Sequence, residues 1–235
     1  MWLSDFLNQS GQEFSFTRAQ ASRFAKQIAD DFNPIHDTDA KRFCVPGDLL
    51  FAVTLAQNGL SQTMDFTFAD MVQEDVALHF HEGEAGLQVK DAAGKVYMAV
   101  ARSGASSQDA ALIEKLTRAY VAFSGHTFPH ILVPLWRDKN VMINPARPMV
   151  IYQSMHLQFD RLDIADLQLA PAGSSLSVEG KRGQVKVAFE FKDGNTVVGR
   201  GEKCLVLSGL REFDEDAVAG VVDYYDERKA RLSAE

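Results

Sequence analysis

The segment Asp31-Phe32-Asn33-Pro34-Ile35-His36 carries the residues best suited to chemistry. A carboxylate and an imidazole flank a turn that the proline makes sharp, because Pro34 fixes its own φ and pushes Asn33 out of the helical region. Held over one water, Asp31 and His36 can activate it as a nucleophile and then return its proton, the division of labour of general acid–base catalysis. Asn33 can orient the pair or hold a ligand carbonyl. Gly47 opens a segment that reads as a helix, which places its N–H at the positive end of a helix dipole. Such a donor suits a thioester oxygen that gains negative charge as an enolate forms. The same residues admit a plainer reading, in which Asp31 and Asn33 end a helix and His36 packs on it.

Other reactive side chains carry weaker patterns. His79 and His81 share one strand face near Glu82 and Glu84, but no third ligand follows at a recognisable metal spacing, so a solvent-facing pair is expected. Pro129 separates His126 from His130 and breaks a continuous helix face, which leaves pocket lining or packing. Gly194, Gly199 and Gly201 lie in a hairpin region and do not open a helix after a strand, as a dinucleotide site requires. Ser124 lacks the Gly-x-Ser-x-Gly setting of an exposed nucleophile. Cys44 has no evident activating base. Lys139, Arg147, Lys181 and Arg182 are scattered, and a solvated surface accounts for them.

The elements that must position the motif are readable. Thr17 can cap a helix while Gln20 reaches back three residues later, and Ala21, Phe24, Ala25 and Ile28 then form one apolar stripe. That helix stops between Asp30 and Pro34, and Ile35 to Val45 reads as a loop. From Pro46 the residues Leu49, Leu50, Phe51, Ala52, Val53, Leu55 and Ala56 cover every side of a second helix, which must therefore be buried all round; Gly59 is its expected cap. From Met64 the period changes to two. Val76, Leu78 and Phe80 face one way and Ala77, His79 and His81 the other; Gly86–Lys90 and Lys95–Ala101 follow as strands around the loop Asp91-Ala92-Ala93-Gly94.

The cycle restarts near Ala110. Leu112, Leu116, Ala119 and Tyr120 make a new stripe that ends at Ser124-Gly125, followed by the proline-punctuated Phe128–Trp136. Strands are expected at Met149–Phe159, Ser174–Val178, Val185–Phe191 and Thr196–Ser208, with turns at Lys181-Arg182-Gly183 and Asp193-Gly194-Asn195. The repeated order of elements points to an internal duplication. From Glu212 an acidic segment reads as a helix with Val218, Val221, Val222 and Tyr225 on its apolar side.

The 235 residues are 46% hydrophobic and 24% charged, enough for one large or two small domains with a real core. The 24 basic and 32 acidic side chains give a formal net charge of −8, which argues against nucleic acid or anionic lipid as a partner. Two cysteines, Cys44 and Cys204, in a chain this long point to a reducing compartment. No stretch approaches the roughly 18 apolar residues of a membrane span, and no cationic-then-apolar leader is seen, so a soluble cytoplasmic protein is expected.

Asp31 to His36 resembles the signature of the MaoC-like (R)-specific enoyl-CoA hydratases, a branch of the hot-dog fold, and the resemblance covers about residues 12 to 101 in pattern. It implies that Asp31 and His36 hold the water that adds to a 2-enoyl thioester, with Asn33 in support and the Gly47 N–H as oxyanion donor. The chain departs from that pattern in three places. The segment between His36 and Gly47 is shorter than usual, Pro46 replaces a common histidine, and Asp30 stands where a glycine is usual. Ser124-Gly125-His126-Thr127-Phe128-Pro129-His130 falls where a second, degenerate copy belongs, and Phe128–Asn140 would then be a degenerate central helix. Over its whole length the chain looks most like an uncharacterised bacterial family of this superfamily.

The expected architecture is α+β, a double hot-dog of two antiparallel sheets each wrapped on a central helix. Its divisions are 1–105 with the motif, 106–211 degenerate, and a helical tail at 212–235. The expected activity is hydration or dehydration of an acyl thioester. A non-catalytic acyl-ligand binder and a thioesterase are the alternatives. No metal and no cofactor are expected beyond the coenzyme A of such a substrate, and homodimerisation is compatible with the fold.

Overall fold

The computed structural model describes residues 2–83 and 86–233. Glu84, which the sequence places near His79 and His81, lies outside the described residues. Two short strands, β1 (Asn8–Ser10) and β2 (Glu13–Ser15), lead into α1 (Arg18–Gln27), where Thr17 and Gln20 form the reciprocal capping box. Asn33 then opens a single 3-10 turn, Pro34–His36. The second helix, α2 (Gly47–Asn58), buries Asp48 to Leu55 without a break and ends on Gly59 at φ 83°. A left-handed residue there costs glycine little and any other residue more.

Strands β3 (Leu60–Phe68), β4 (Leu78–Gly83), β5 (Gly86–Asp91) and β6 (Val96–Ser107) complete the first half. The second half holds α3 (Ala110–Gly125), α4 (Leu132–Asp138), a short β7 (Val141–Met142), and the long strands β8 (Val150–Phe159), β9 (Leu167–Glu179), β10 (Arg182–Asp193) and β11 (Thr196–Ser208). β12 (Arg211–Glu212) pairs with β7, and α5 (Glu215–Leu232) follows.

One ten-stranded antiparallel sheet runs β1-β2-β4-β5-β6-β3-β8-β11-β10-β9. Read outward from its centre, β3-β6-β5-β4 is mirrored by β8-β11-β10-β9, so each half repeats the other's connectivity. The halves join where β3 pairs with β8, Thr63 opposite Gln158 through Thr67 opposite Ser154. That pairing leaves neither half with a bare inner edge. The α+β class follows directly, with α2 and α3 packed on each other and α3 also packed on β9.

Two differences from the sequence reading have local causes. β9 begins at Leu167, well before Ser174, because Pro171 and Gly173 read as a break. In the structure they flank a bulge opposite Ala188 and Phe189 on an edge strand, where proline is tolerated. The stretch Phe128–Asn140 forms a helix only over Leu132–Asp138, with Trp136 fully buried beneath it. Helix α3, with 16 residues against the 7 of α4, is the longer helix before the strands of the second half.

Candidate functional site

The motif turn is built by its own side chains. After α1 the chain passes through Asp30 at φ 54°, a left-handed conformation that residues other than glycine seldom adopt. Asp31 Oδ1 accepts the Asn33 N–H at 2.9 Å, and Asn33 Oδ1 accepts the Ile35 N–H at 3.2 Å, capping the 3-10 turn. Asn33 is exposed, and its carboxamide oxygen is thus engaged in shaping the turn.

This folding brings Asp31 and His36 together. Asp31 Oδ2 lies 3.7 Å from His36 Nε2. On the other side of the ring, Nδ1 is 2.7 Å from the Cys44 carbonyl oxygen. A carbonyl can only accept, so Nδ1 carries a proton, and in the neutral ring Nε2 then presents its lone pair toward Asp31. A separation of 3.7 Å is too long for a direct hydrogen bond. A water at ~2.8 Å from each atom would subtend about 80°, an angle it can satisfy. The Cys44 backbone is itself held, its N–H donating to Ile35 O at 3.1 Å.

Gly47 opens α2 behind Pro46, and no side chain caps that helix. Aromatic rings close on its α-carbon: a Cβ there would lie 3.1 Å from Phe68 and 3.2 Å from Tyr152, and those two rings meet at 4.3 Å, tilted by 37°. The next residue, Asp48, is buried and accepts a hydrogen bond from Ser124 Oγ at 2.5 Å. Ser124 Oγ in turn meets Lys203 Nζ, also buried, at 2.5 Å. Burial pushes the Asp48 carboxyl up and the Lys203 ammonium down, while their opposite charges pull each back toward its ionised form. Asp31 and His36 are near enough for their charges to act on Asp48, and Asp31 acts on Lys203 as well. Tyr120 and Tyr152 share a hydroxyl–hydroxyl hydrogen bond beside this cluster, and burial holds both phenols well above their ordinary value.

The segment Ser124–His130 abuts the motif turn. Gly125 ends α3 against the turn that closes α1, so closely that a Cβ on it would sit 1.7 Å from Ala29 O. His126 Nε2 donates to Asp30 Oδ2 at 2.8 Å, so the Asp30 carboxylate turns toward the second half. His130 stands 5.9 Å from His126, ring centre to ring centre. The Cys44 thiol is pushed up to about 12 by burial, which leaves it without a thiolate at neutral pH. Among the described residues no group of three or more His, Cys, Asp or Glu is arranged to hold a metal ion, and no helix is long and apolar enough to cross a membrane.

A model of one protein family, described as protein of unknown function (DUF3581), matches residues 1–216. The chain belongs to the DUF3581 family. No curated protein matches it. Among solved structures, a tesB protein of Mycobacterium avium subsp. paratuberculosis is 10% identical, with 87% of this chain and 97% of that one covered at a TM-score of 0.46. A conserved protein of unknown function with a hot dog fold from Alicyclobacillus acidocaldarius is also 10% identical, covering 88% and 98% at 0.47. An acyl-CoA thioesterase II, TesB2, from Mycobacterium marinum is 11% identical, covering 90% and 99% at 0.42.

Nearly all of α5 lies beyond the stretch that matches the DUF3581 family, yet it grips the motif turn. Tyr225 Oη accepts the Phe32 N–H at 3.3 Å and donates to Asp30 O at 3.4 Å. Arg228 Nε donates to Phe32 O at 3.4 Å, its Nη2 pairs with Asp37, and Lys229 Nζ pairs with Asp30 Oδ2. The sequence marks Tyr225 as part of an apolar side but gives no sign that Arg228 and Lys229 close on residues near position 30. Asp48 and Lys203 escape sequence reasoning for a different reason: both sit in apolar registers where a charged residue reads as an exception.

Proposed function

We propose that this protein adds water to, or removes it from, an acyl thioester, with Asp31 and His36 binding the water. The observation that carries this reading is the 3.7 Å gap between Asp31 Oδ2 and His36 Nε2, with Nδ1 tied to the Cys44 carbonyl. The two groups divide the work. Asp31 accepts one hydrogen bond from the water and orients it. Neutral Nε2 takes a proton as the water oxygen bonds to C3 of a 2-enoyl thioester. The electron pair of the double bond moves onto the thioester oxygen, and the enolate collapses as Nε2 gives its proton to C2. The Gly47 N–H, at the uncapped start of α2, is the donor assigned to that oxygen. Asn33 supports the pair by fixing the turn. In the same reading, the mirrored strand orders are two hot-dog modules fused edge to edge at β3 and β8, and the MaoC-like resemblance of the motif extends to its role.

The test mixes purified protein with short- and medium-chain 2-enoyl-CoA and follows loss of the conjugated double bond. Turnover is expected, and His36→Ala and Asp31→Asn should each lower it by at least about 100-fold. Unchanged absorbance at every chain length would overturn the reading. The same water can attack a thioester carbonyl instead, and release of free thiol from saturated acyl-CoA would reassign the site to hydrolysis. Thermal stabilisation by acyl-CoA without either reaction would make it a binding site.

A further inference from the structure

Lys203 occupies the inward row of β11, between Gly201 and Leu205, and is only 5% exposed. An ammonium in such a place is costly unless acceptors and an opposite charge meet it. Its Nζ meets Ser124 Oγ at 2.5 Å, Ser124 O at 3.4 Å and Thr127 Oγ1 at 3.4 Å. Ser124 passes the contact on to Asp48 Oδ2, while Asp48 Oδ1 is buried with no hydrogen-bond partner among the described residues. Nζ also lies 4.6 Å from the centre of the Tyr152 ring, the ring that closes on the α-carbon of Gly47. A continuous set of contacts therefore runs from a strand of the second half, through the degenerate copy of the motif, to the first turn of α2.

We propose that Lys203 is a positioning residue of the Asp31–His36 centre: through Ser124, Asp48 and Tyr152 it fixes the turn that carries Gly47, and its charge offsets that of Asp48 beside the water site. The inference rests on the reading of Asp31 and His36 as the water-binding pair. A neutral side chain of the same volume would hold a helix turn at less cost, so a role for the charge itself is what a buried pair implies here. The charged or titratable groups around the centre are Asp31, His36, Asp37 and Cys44 from the motif turn and its loop, Lys26 from α1, Asp48 from α2, Tyr120 from α3, Tyr152 from β8, Lys203 from β11 and Arg228 from α5. Asp48 and Lys203 carry no net charge as a pair, and Asp37 is met by Lys26 and Arg228, so Asp31 is the carboxylate left facing His36.

The test follows the His36 imidazole by NMR across a pH titration, its signal assigned with His36→Gln, in the wild type, Lys203→Met, Asp48→Asn and the double variant. Removing Lys203 withdraws a positive charge and should move the His36 midpoint to higher pH wherever Asp48 stays ionised; removing Asp48 withdraws a negative charge and should move it to lower pH wherever Lys203 stays protonated. The double variant should return it close to the wild-type position. With a 2-enoyl-CoA, each single variant should lose about 10-fold in kcat with KM little changed, and the acid limb of the pH–rate profile should move in the same two directions. A residue that merely supports the fold would give a double variant at least as damaged as either single one.

A His36 midpoint that stays in place in both single variants, with dispersed spectra showing them folded, would overturn the proposal. If Lys203→Met does not fold, the direction found for Asp48→Asn decides. If the wild type turns over no thioester while the midpoints shift as stated, the electrostatic role of Lys203 stands and the assigned reaction falls.

Discussion

Replacing Gly125 by alanine tests how the motif turn depends on the end of α3. Gly125 does not have a left-handed φ, so the substitution asks nothing unusual of the backbone itself. The difficulty is space. The added methyl would lie 1.7 Å from Ala29 O, 2.8 Å from Ala29 C and 3.2 Å from Asp30 C, all of them backbone atoms. A relaxed carbon–oxygen contact is about 3.4 Å, so the end of α3 and the end of α1 must separate by roughly 1.7 Å. Neither side can yield by rotating a side chain. Overpacking of this kind costs about 3 kcal/mol, the upper end of its usual range, because two backbones must move. The same displacement carries Asp30 and Asp31 away from His36, and a shift on the order of 1 Å at a reacting group costs about 100-fold in rate. A urea titration should show the midpoint falling by about 1 M, and turnover should fall about 100-fold in buffer where the variant remains folded. Gly220, in α5 with nothing within 4 Å of where a methyl would sit, is the control: Gly220→Ala should stabilise by about 0.8 kcal/mol and leave turnover alone. A Gly125→Ala variant with wild-type midpoint and rate would refute the idea that the end of α3 braces the motif turn.

Tyr225→Phe should remove two hydrogen bonds to the motif turn, from Phe32 N–H and to Asp30 O, at a cost of about 1–2 kcal/mol measured by chemical denaturation. Burial pushes the Tyr225 phenol up to about 12, above its ordinary value near 10, so the stability tied to it is whole below about pH 10 and is lost as the pH climbs toward 12. Stability measured from pH 9 to 11.5 should therefore fall less steeply in Tyr225→Phe. Some slope should remain, because burial also raises Tyr120, Tyr152, Cys44 and Cys204. Both thiols should react slowly with a chromogenic disulfide at pH 8 in the native protein and at once in denaturant. Rapid native labelling of Cys44 would contradict its burial.

Much of the frame was legible because single residues signal it locally. Thr17 with Gln20 marks the start of α1, the unbroken apolar run after Pro46 marks a helix buried on every side, and Gly59 marks its end. The strands of the second half alternate strongly enough that Thr196–Ser208 is read with its observed bounds. β6 runs on to Ser107, well past Ala101, because its outer part, Arg102 to Ser107, is mostly exposed and keeps its extended form by pairing with β3, a tertiary cause that spacing does not display. The hydrophobic effect writes inward positions into the sequence; it does not write which neighbour a polar strand end will find.

The same distinction divides the site. Asp31, Asn33 and His36 stand together because a proline and two short side chains fold one turn on itself, and every contact within that turn spans a few residues. Lys203 went unread, although its place in the strand was there to count. Counting back by two from the inward Leu205 and Leu207 puts its side chain in the core, a position that demands a partner. Nothing along the strand names that partner, since Ser124 lies 79 residues away and reaches Asp48 across another 76. The meeting depends on α3 ending against α1, which only the absence of a side chain at Gly125 permits. The buried charge and the glycine then form one device, and Gly125→Ala, although it changes no charge, should move the His36 midpoint too, toward lower pH as Asp31 is carried away from the ring.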